Sequence, residues 1–268
     1  MSARGLSPQA ERKPVIFTWS SKLESQRGEG FRALRRLARR FLRLTGTRSF
    51  VWADGFWWYR WHSDAGIGFT REWEKPIESR ILQPGGCFVD VGSHVGRWTI
   101  RASPFYGKIL AFEPDPLTNY VLRRNIARNR LDNIHVFATA LSNHRDRAVL
   151  FNYGPPACNS LRPTHISGRT PKAGKTVRVK PLDDFTEYFL APMVLKIDVE
   201  GEEQRVLEGG TGTLKEFKPM IVIEVHFQSE IELIAEKMKN QGYNIIERFH
   251  QAANPNGQVY LVAKHSGQ

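Results

Sequence analysis

From residue 71 onward, short apolar runs alternate with stretches in which apolar positions recur every three or four residues, the succession expected of strands joined by helices. GCFVDVG predicts a strand over residues 87–91, then a turn and a helix from about Val95. KILAFEP predicts a second strand and PLTNYVLRRNIARNR a helix, with Leu117, Tyr120, Val121 and Ile126 as its apolar positions. IHVFATAL predicts a third strand. The rhythm breaks over residues 142–183, where strand-like runs (VLFNYGPPACNSLRP, KTVRVKPLDDF) are separated by Pro, Gly and Ser, the pattern of an insertion lying over one sheet edge. It resumes with MVLKIDVEG as a fourth strand, EEQRVLEGGTGTLKEF as one helix, PMIVIEVHF as a fifth strand and IELIAEKMKNQG as a helix capped by Gly242. YNIIERF and QVYLVAK are separated by too few residues for a crossover helix, so they are antiparallel neighbours. The whole predicts an α/β protein with a doubly wound, mostly parallel sheet and a reversed final strand.

The N-terminal part reads differently. Its first twenty or so residues are polar and interrupted by Pro8 and Pro14, the pattern of a mobile tail. GEGFRALRRLARRFLRLTG then predicts an amphipathic helix, with Phe31, Leu34, Leu37, Ala38, Phe41 and Leu44 opposite Arg32, Arg35, Arg36, Arg39, Arg40 and Arg43, and Gly46 as its stop. FVWADGFWWYRWH follows, two aromatic runs meeting at Asp54-Gly55, a strong hairpin signal. Its aromatic side chains (Trp52, Phe56, Trp57, Trp58, Tyr59, Trp61) either form a stacking platform or, the better expectation, glue the hairpin to the main domain. The division expected is a basic extension over residues 1–70 and a main domain over 71–268.

Charge sharpens that division. The net charge is +12, and residues 1–50 carry 12 Lys or Arg against 3 acids, so 12 − 3 = +9 of the excess lies there. An excess so localised concerns what the N-terminus touches: an anionic membrane surface or RNA through residues 28–45, or nothing beyond its own domain. The two cysteines, Cys87 and Cys158, have neither a CxxC partner spacing nor a disulfide framework. No apolar run approaches the length of a bilayer span, and residues 1–30 lack a secretory apolar core, so the expectation is a cytoplasmic protein, with peripheral membrane attachment as the variant the arginine helix suggests.

Chemistry concentrates at the ends of the predicted strands. After the first strand comes Asp90-Val91-Gly92-Ser93-His94-Val95-Gly96: a glycine leaving the strand allows close backbone approach to a ligand, and Gly96 allows tight packing at the next helix. Glu113 ends the second strand 21 positions beyond Gly92, where an acid can accept both hydroxyl hydrogens of a ribose. The spacing suits NAD or S-adenosylmethionine. The missing middle glycine of GxGxxG, and an acid at the strand tip that would repel phosphate but suit a sulfonium, favour the latter.

LKIDVEGEE ends the fourth strand. Alternation predicts that Lys196, Asp198 and Glu200 point to one side, with Gly201 turning the chain away. Two carboxylates beside a lysine are costly to bury unless paired or working, so Asp198 is expected nearest the reacting group and Glu200 to orient substrate. Glu224-Val225-His226 ends the fifth strand, and a histidine there can take the proton of a hydroxyl nucleophile or be a satisfied structural residue. Asp198, Glu200, Glu224 and His226 are of metal-ligating types, but no clustered spacing joins them, and no metal site is expected.

FVDVGSHVGRWT, AFEPDP, ATALSN, NSLRP, VKPLDDF, LKIDVEGEEQRVLEGG and IVIEVH, in that order, make the chain from about residue 72 to its end resemble the FkbM-type methyltransferases. The resemblance implies a Rossmann-like class I methyltransferase fold, a mostly parallel seven-stranded sheet with an antiparallel C-terminal strand, here preceded by an N-terminal helix and an aromatic hairpin. It implies S-adenosylmethionine as cofactor and a hydroxyl of a small molecule, glycan or carrier-bound compound as acceptor. By position, Asp90, Gly92, Ser93, His94, Gly96, Glu113 and Pro114 would hold the cofactor, Ala140 and Leu141 would flank its adenine, Asn159, Ser160 and Lys196 would meet the substrate, and Asp198, Glu200 and His226 would stand at the reacting end. Rival expectations are an RNA methyltransferase using the basic N-terminus, a membrane-surface scaffold with a non-catalytic methyltransferase fold and, least, an NAD oxidoreductase.

Overall fold

A computed structural model describes residues 50–59, 74–154, 158–163, 170–250 and 258–267. The chain divides into compact units Met1–Arg48 and Ser49–Gln268, and all that follows concerns the second. The expected tail, the arginine helix of residues 28–45 and Trp61 lie outside the described residues.

β1 (Phe50–Ala53) and β2 (Phe56–Tyr59) form the expected hairpin, turning at Asp54 and Gly55 with φ of 51° and 78°. After α1 (Lys75–Ile81) come β3 (Gly85–Val91), α2 (Arg97–Ala102), β4 (Tyr106–Phe112), α3 (Pro116–Asn129), β5 (Ile134–Phe137) and β6 (Ala140–Leu141). β7 (Asp146–Asn152), β8 (Ala173–Lys180) and a 3-10 helix (Leu182–Tyr188) fill the irregular middle. The chain continues through β9 (Met193–Ile197), α4 (Glu203–Glu208), α5 (Thr211–Phe217), β10 (Met220–Val225), α6 (Ile231–Asn240), β11 (Tyr243–His250) and β12 (Val259–His265).

The main sheet has the order β11-β12-β10-β9-β3-β4-β5. β3, β4, β5, β9 and β10 are parallel, and β12 runs antiparallel to both β10 and β11. The expected reversed strand is therefore β12. From β3 the chain winds outward through β4 and β5, then returns to β9 on the other side, so the direction of winding switches between β3 and β9.

Both faces of the sheet are covered, which is why the central strands read as unbroken apolar runs. Cys87, Val89 and Val91 pack with Leu195, Ile223, Val206, Leu214 and Ile234 on one face, while Phe88 packs with Ile77, Ile81, Trp98 and Val222 on the other. The hairpin belongs to the second face. Trp58 is 1% exposed against Ile100, Ala111, Leu122 and Ile126, and the hairpin's amides of Trp57 and Tyr59 donate to Asn129 Oδ1 (2.7 Å) and Asn125 Oδ1 (2.6 Å) on α3. Trp52, at 49% exposed, packs edge-on against Trp57 within the hairpin, with ring centroids 5.3 Å apart.

Three expectations need correction. The third strand divides: after Phe137 the chain leaves the main sheet, and Ala140-Leu141 pairs instead with β8 in a separate three-stranded sheet, β6-β8-β7. The long helix after the fourth strand is two helices broken at Gly209-Gly210, where a Cβ on Gly209 would collide with the Ser142 carbonyl. On α3, Leu117 and Tyr120 are exposed. At about 100° per residue, Asn119, Val121, Leu122, Asn125 and Ile126 define the buried side, and its two asparagines donate to the backbone carbonyls of Glu113 and Val95.

Trp58→Ala is expected to cost about 3–5 kcal/mol and Trp52→Ala under about 1 kcal/mol, read from urea unfolding midpoints.

Candidate active site

The switch between β3 and β9 opens into a cavity of about 400 Å³. Gly92 (φ 80°) takes the chain out of β3, and a Cβ there would strike the Asp198 carbonyl beyond β9, so only glycine lets the two strand ends come together. The amides of Gly92 and Ser93 both donate to the Phe112 carbonyl (3.0 Å each), joining the turn to the end of β4. Gly96 (φ 94°) starts α2, where a Cβ would lie 2.6 Å from Leu122 Cδ1.

The turn converges on Glu113. His94, itself left-handed at φ 50°, donates its amide to Glu113 Oε2 (2.9 Å), and the Asp115 amide donates to Oε1 (2.8 Å). Burial, reinforced by the charges of Asp115 and Asp90, outweighs these amides and pushes the Glu113 carboxyl up to about 8. Burial also depresses the His94 imidazole to about 4, so the ring is neutral, and its Nε2 has no hydrogen-bond partner. Asp115 caps α3 and receives Lys175 Nζ at 2.6 Å.

On the opposite wall Lys196, 1% exposed, donates to Asp198 Oδ2 (3.1 Å) and lies 3.5 Å from Asp90 Oδ1. Burial alone would discharge the ammonium, but Asp198, Asp90 and Glu224 outweigh it and hold its pKa above the ordinary lysine value. Desolvation likewise opposes the charge on Asp198, and Lys196 with His226 overcomes it, keeping that carboxylate ionised.

His226 Nδ1 meets Glu203 Oε1 at 2.7 Å, and its Nε2 lies 3.3 Å from Glu200 Oε1, 3.7 Å from Asp198 Oδ1 and 3.9 Å from Glu224 Oε1. Burial disfavours its charge, yet Glu200 and Glu203 outweigh it and raise the imidazole's pKa well above the ordinary histidine range. Burial and the Asp198 charge push Glu224 up to about 8, and Tyr260 on β12 donates its hydroxyl to it.

Of the residues anticipated from sequence, Gly92, Ser93, His94, Glu113, Pro114, Ala140, Leu141, Asn159, Lys196, Asp198 and Glu200 line this cavity. Asp90 does not. Strand alternation turns it to the α2 face, where it is fully buried and accepts a hydrogen bond from Thr99 Oγ1 (2.5 Å), so it reaches the cavity only through Lys196. Gly96 and Ser160 also lie behind the wall, Ser160 Oγ donating to the Glu200 carbonyl (2.6 Å). His226 stands behind Asp198 and Glu200 and does not itself line the cavity. Glu200 is not carried by strand alternation, because β9 ends at Ile197; its own left-handed φ of 54° brings it back beside His226.

Sequence reading passed over Glu203, Tyr260, Glu202 and Asp115. Glu203 and Glu202 lie within the quoted acidic run, a signal that was present; Tyr260 arrives from β12 and has no local signature. Folding also supplies what spacing denied: donor atoms of Asp198, Glu224 and His226 lie within 4.8 Å of one another.

The cavity fits S-adenosylmethionine in kind. Its volume is that of a cofactor site, Val91, Phe112, Ala140, Leu141 and Leu150 give it an apolar wall, and acids face the end where β9 finishes. A doubly wound sheet with a reversed strand, a glycine turn and an acid closing the second strand define the class I methyltransferase architecture.

The methyltransferase FkbM domain model matches residues 90–245, more than half of the 268 residues, and the chain belongs to that family of methyl-transferring enzymes. Among solved structures, the methyltransferase FkbM of Methylobacillus flagellatus KT is similar at 19% identity and a TM-score of 0.48, over 67% of this chain but only 43% of that one. A precorrin-6y C5,15-methyltransferase from Geobacter metallireducens GS-15 is similar at 14% identity and a TM-score of 0.46, over 76% and 93% of the two chains. M. jannaschii TYW2 in complex with AdoMet is similar at 12% identity and a TM-score of 0.39, over 80% and 84%. No curated protein matches the chain.

Two outcomes follow from this geometry. Gly92→Ala should lower stability by at least about 3 kcal/mol in urea unfolding, against about 1–2 kcal/mol for Gly55→Ala, whose φ is also positive but whose Cβ would meet open space. The native state holds a proton on Glu113 that the unfolded chain releases, so that group's contribution to stability is lost as pH rises from 4.5 to about 8. Melting midpoints of the unliganded protein should therefore fall across this range less steeply in Glu113→Gln than in the parent.

Proposed function

We propose that the protein transfers a methyl group from S-adenosylmethionine to a hydroxyl of a small molecule, glycan or carrier-bound acceptor. One observation carries this reading: the ends of β3, β4, β9 and β10 open on one cavity that presents Glu113 on one wall and the ion-paired Asp198 on the other.

The Gly92 turn, Glu113, Ala140 and Leu141 would hold the cofactor, Glu113 through the ribose hydroxyls and the two apolar residues beside the adenine. When bound, S-adenosylmethionine supplies an activated methyl on a cationic sulfur that departs as a neutral thioether. The protein's own part is positioning and proton management. Asp198, ionised and turned toward the cavity, accepts the acceptor's hydroxyl proton as the oxygen lone pair engages the methyl carbon. Lys196 holds that carboxylate in place, and Asn159 and Glu200 line the space for the acceptor.

The acids around the cavity disfavour a phosphate-bearing dinucleotide, which argues against the oxidoreductase alternative. An RNA acceptor is the second reading. It is favoured by Arg124 and Arg128 stacked over Phe50, Tyr59 and Trp57, an arginine–aromatic surface on α3 and the hairpin.

Calorimetric titration with S-adenosylmethionine should give one site per chain, weakened at least ~10-fold by Glu113→Ala. Asp198→Asn should leave that affinity within about threefold and reduce methylation by at least ~100-fold, followed as the mass gain of one methylene unit on acceptors in a cell extract. Absence of cofactor binding would overturn the reading, and label appearing in RNA would select the second acceptor class.

A further inference from the structure

We infer that Asp198, Glu224 and His226 form a binding site for one divalent metal ion at the reacting end of the cavity. His226 is 1% exposed, and its Nε2 has no hydrogen-bond partner although it faces Glu200, Asp198 and Glu224. Its other nitrogen, Nδ1, is engaged by Glu203 Oε1 at 2.7 Å, itself fully buried on α4. A carboxylate holding one ring nitrogen is the usual support of a metal-bound histidine, whose other nitrogen gives up its proton to the incoming ion.

The facing oxygens are arranged to match. Asp198 gives Oδ2 to Lys196 and turns Oδ1 to within 3.7 Å of Nε2; Glu224 takes the Tyr260 hydroxyl on Oε2 and leaves Oε1 at 3.9 Å. Two atoms bound to one ion at 2.0–2.2 Å lie about 3–4.4 Å from each other, so both separations are those of ligands sharing an ion. Glu200 Oε1, at 3.3 Å from Nε2, is placed as a further ligand. Charge points the same way, because Asp198, Glu200, Glu203 and Glu224 gather around one imidazole while Lys196 is shared between Asp90 and Asp198. Asp198, Glu200 and Glu224 line the cavity, which gives the ion its entry path and leaves its remaining positions open to an acceptor oxygen.

Two carboxylates and an imidazole suit a first-row divalent ion, so Mn²⁺ is the probe. Its use in gripping the acceptor rests on the methyl-transfer reading above, whereas its binding does not, and it adds no covalent step.

The test is titration of chelator-treated full-length protein with Mn²⁺, free ion being read by electron paramagnetic resonance, alongside calorimetric titration of the same preparation with S-adenosylmethionine. One tight Mn²⁺ per chain is expected. Asp198→Asn and Glu224→Gln should each weaken it at least tenfold. Glu203→Gln, which touches no ion, should weaken it about tenfold through the histidine. The surface variant Glu232→Gln should bind as the parent does. Circular dichroism and melting midpoints establish that each variant is folded, and the parent titration needs no variant at all. Absent Mn²⁺ binding with intact cofactor binding would overturn the metal site and leave the methyltransferase reading standing, Nε2 then holding only a proton. Mn²⁺ binding without cofactor binding would do the reverse. Binding that no site variant weakens would mean an adventitious ion only, and would overturn the site.

Discussion

A lysine ammonium buried between the two central strands holds this molecule's working end together. Lys196 on β9 reaches Asp198 at the end of its own strand and Asp90 on the neighbouring β3. Removing one partner of such a buried set strands the others, at about 3–5 kcal/mol, so the three residues stand or fall as a unit. Because β3 and β9 flank the point where the winding reverses, the same ion pairs that close the sheet also set the position of Asp198 in the crevice beyond it. Gly92 completes the constraint from the backbone side, since no side chain fits between it and the Asp198 carbonyl.

From that fixed point the site divides in two. On the β4 side, Glu113 is held by amides of its own turn and of Asp115, and faces apolar side chains from Val91 to Leu150. On the β9 and β10 side, carboxylates outnumber cations and are ordered through His226 and Tyr260. One half suits an adenosine, the other a cation and a reacting hydroxyl. The family to which the chain belongs carries the class of reaction, and the division of the cavity says where each partner would lie.

Much of this was legible in the chain. The alternation of apolar runs and helical spacings, and the absence of room for a crossover between the last two strands, follow from local geometry, and the observed sheet has that topology. The place of Glu113 in the cavity was readable because it depends on one spacing along one strand–helix–strand unit. Asp90 was misplaced because a strand tip has two faces, and only the packing of Thr99 on α2 decides which one the acid takes. Leu117 and Tyr120 were misread because asparagines occupy the buried side of α3, where their amides bond backbone, so that side is not the most apolar one. Tyr260, and the meeting of Asp198 with Glu224 and His226, depend on strand pairings remote in sequence, to which no local pattern gives access. The raised pKa of His226 depends on that same gathering of acids.

In the proposed reading a single cavity holds the methyl donor between Gly92 and Asp198. Ultraviolet cross-linking of radiolabelled S-adenosylmethionine to the full-length protein, with the labelled peptides mapped by mass spectrometry, tests it directly. Label confined to peptides spanning residues 91–98, 112–115, 139–141 and 196–202 is the predicted result. Label carried by residues 1–48, or none at all under conditions that label an authentic methyltransferase, would contradict it.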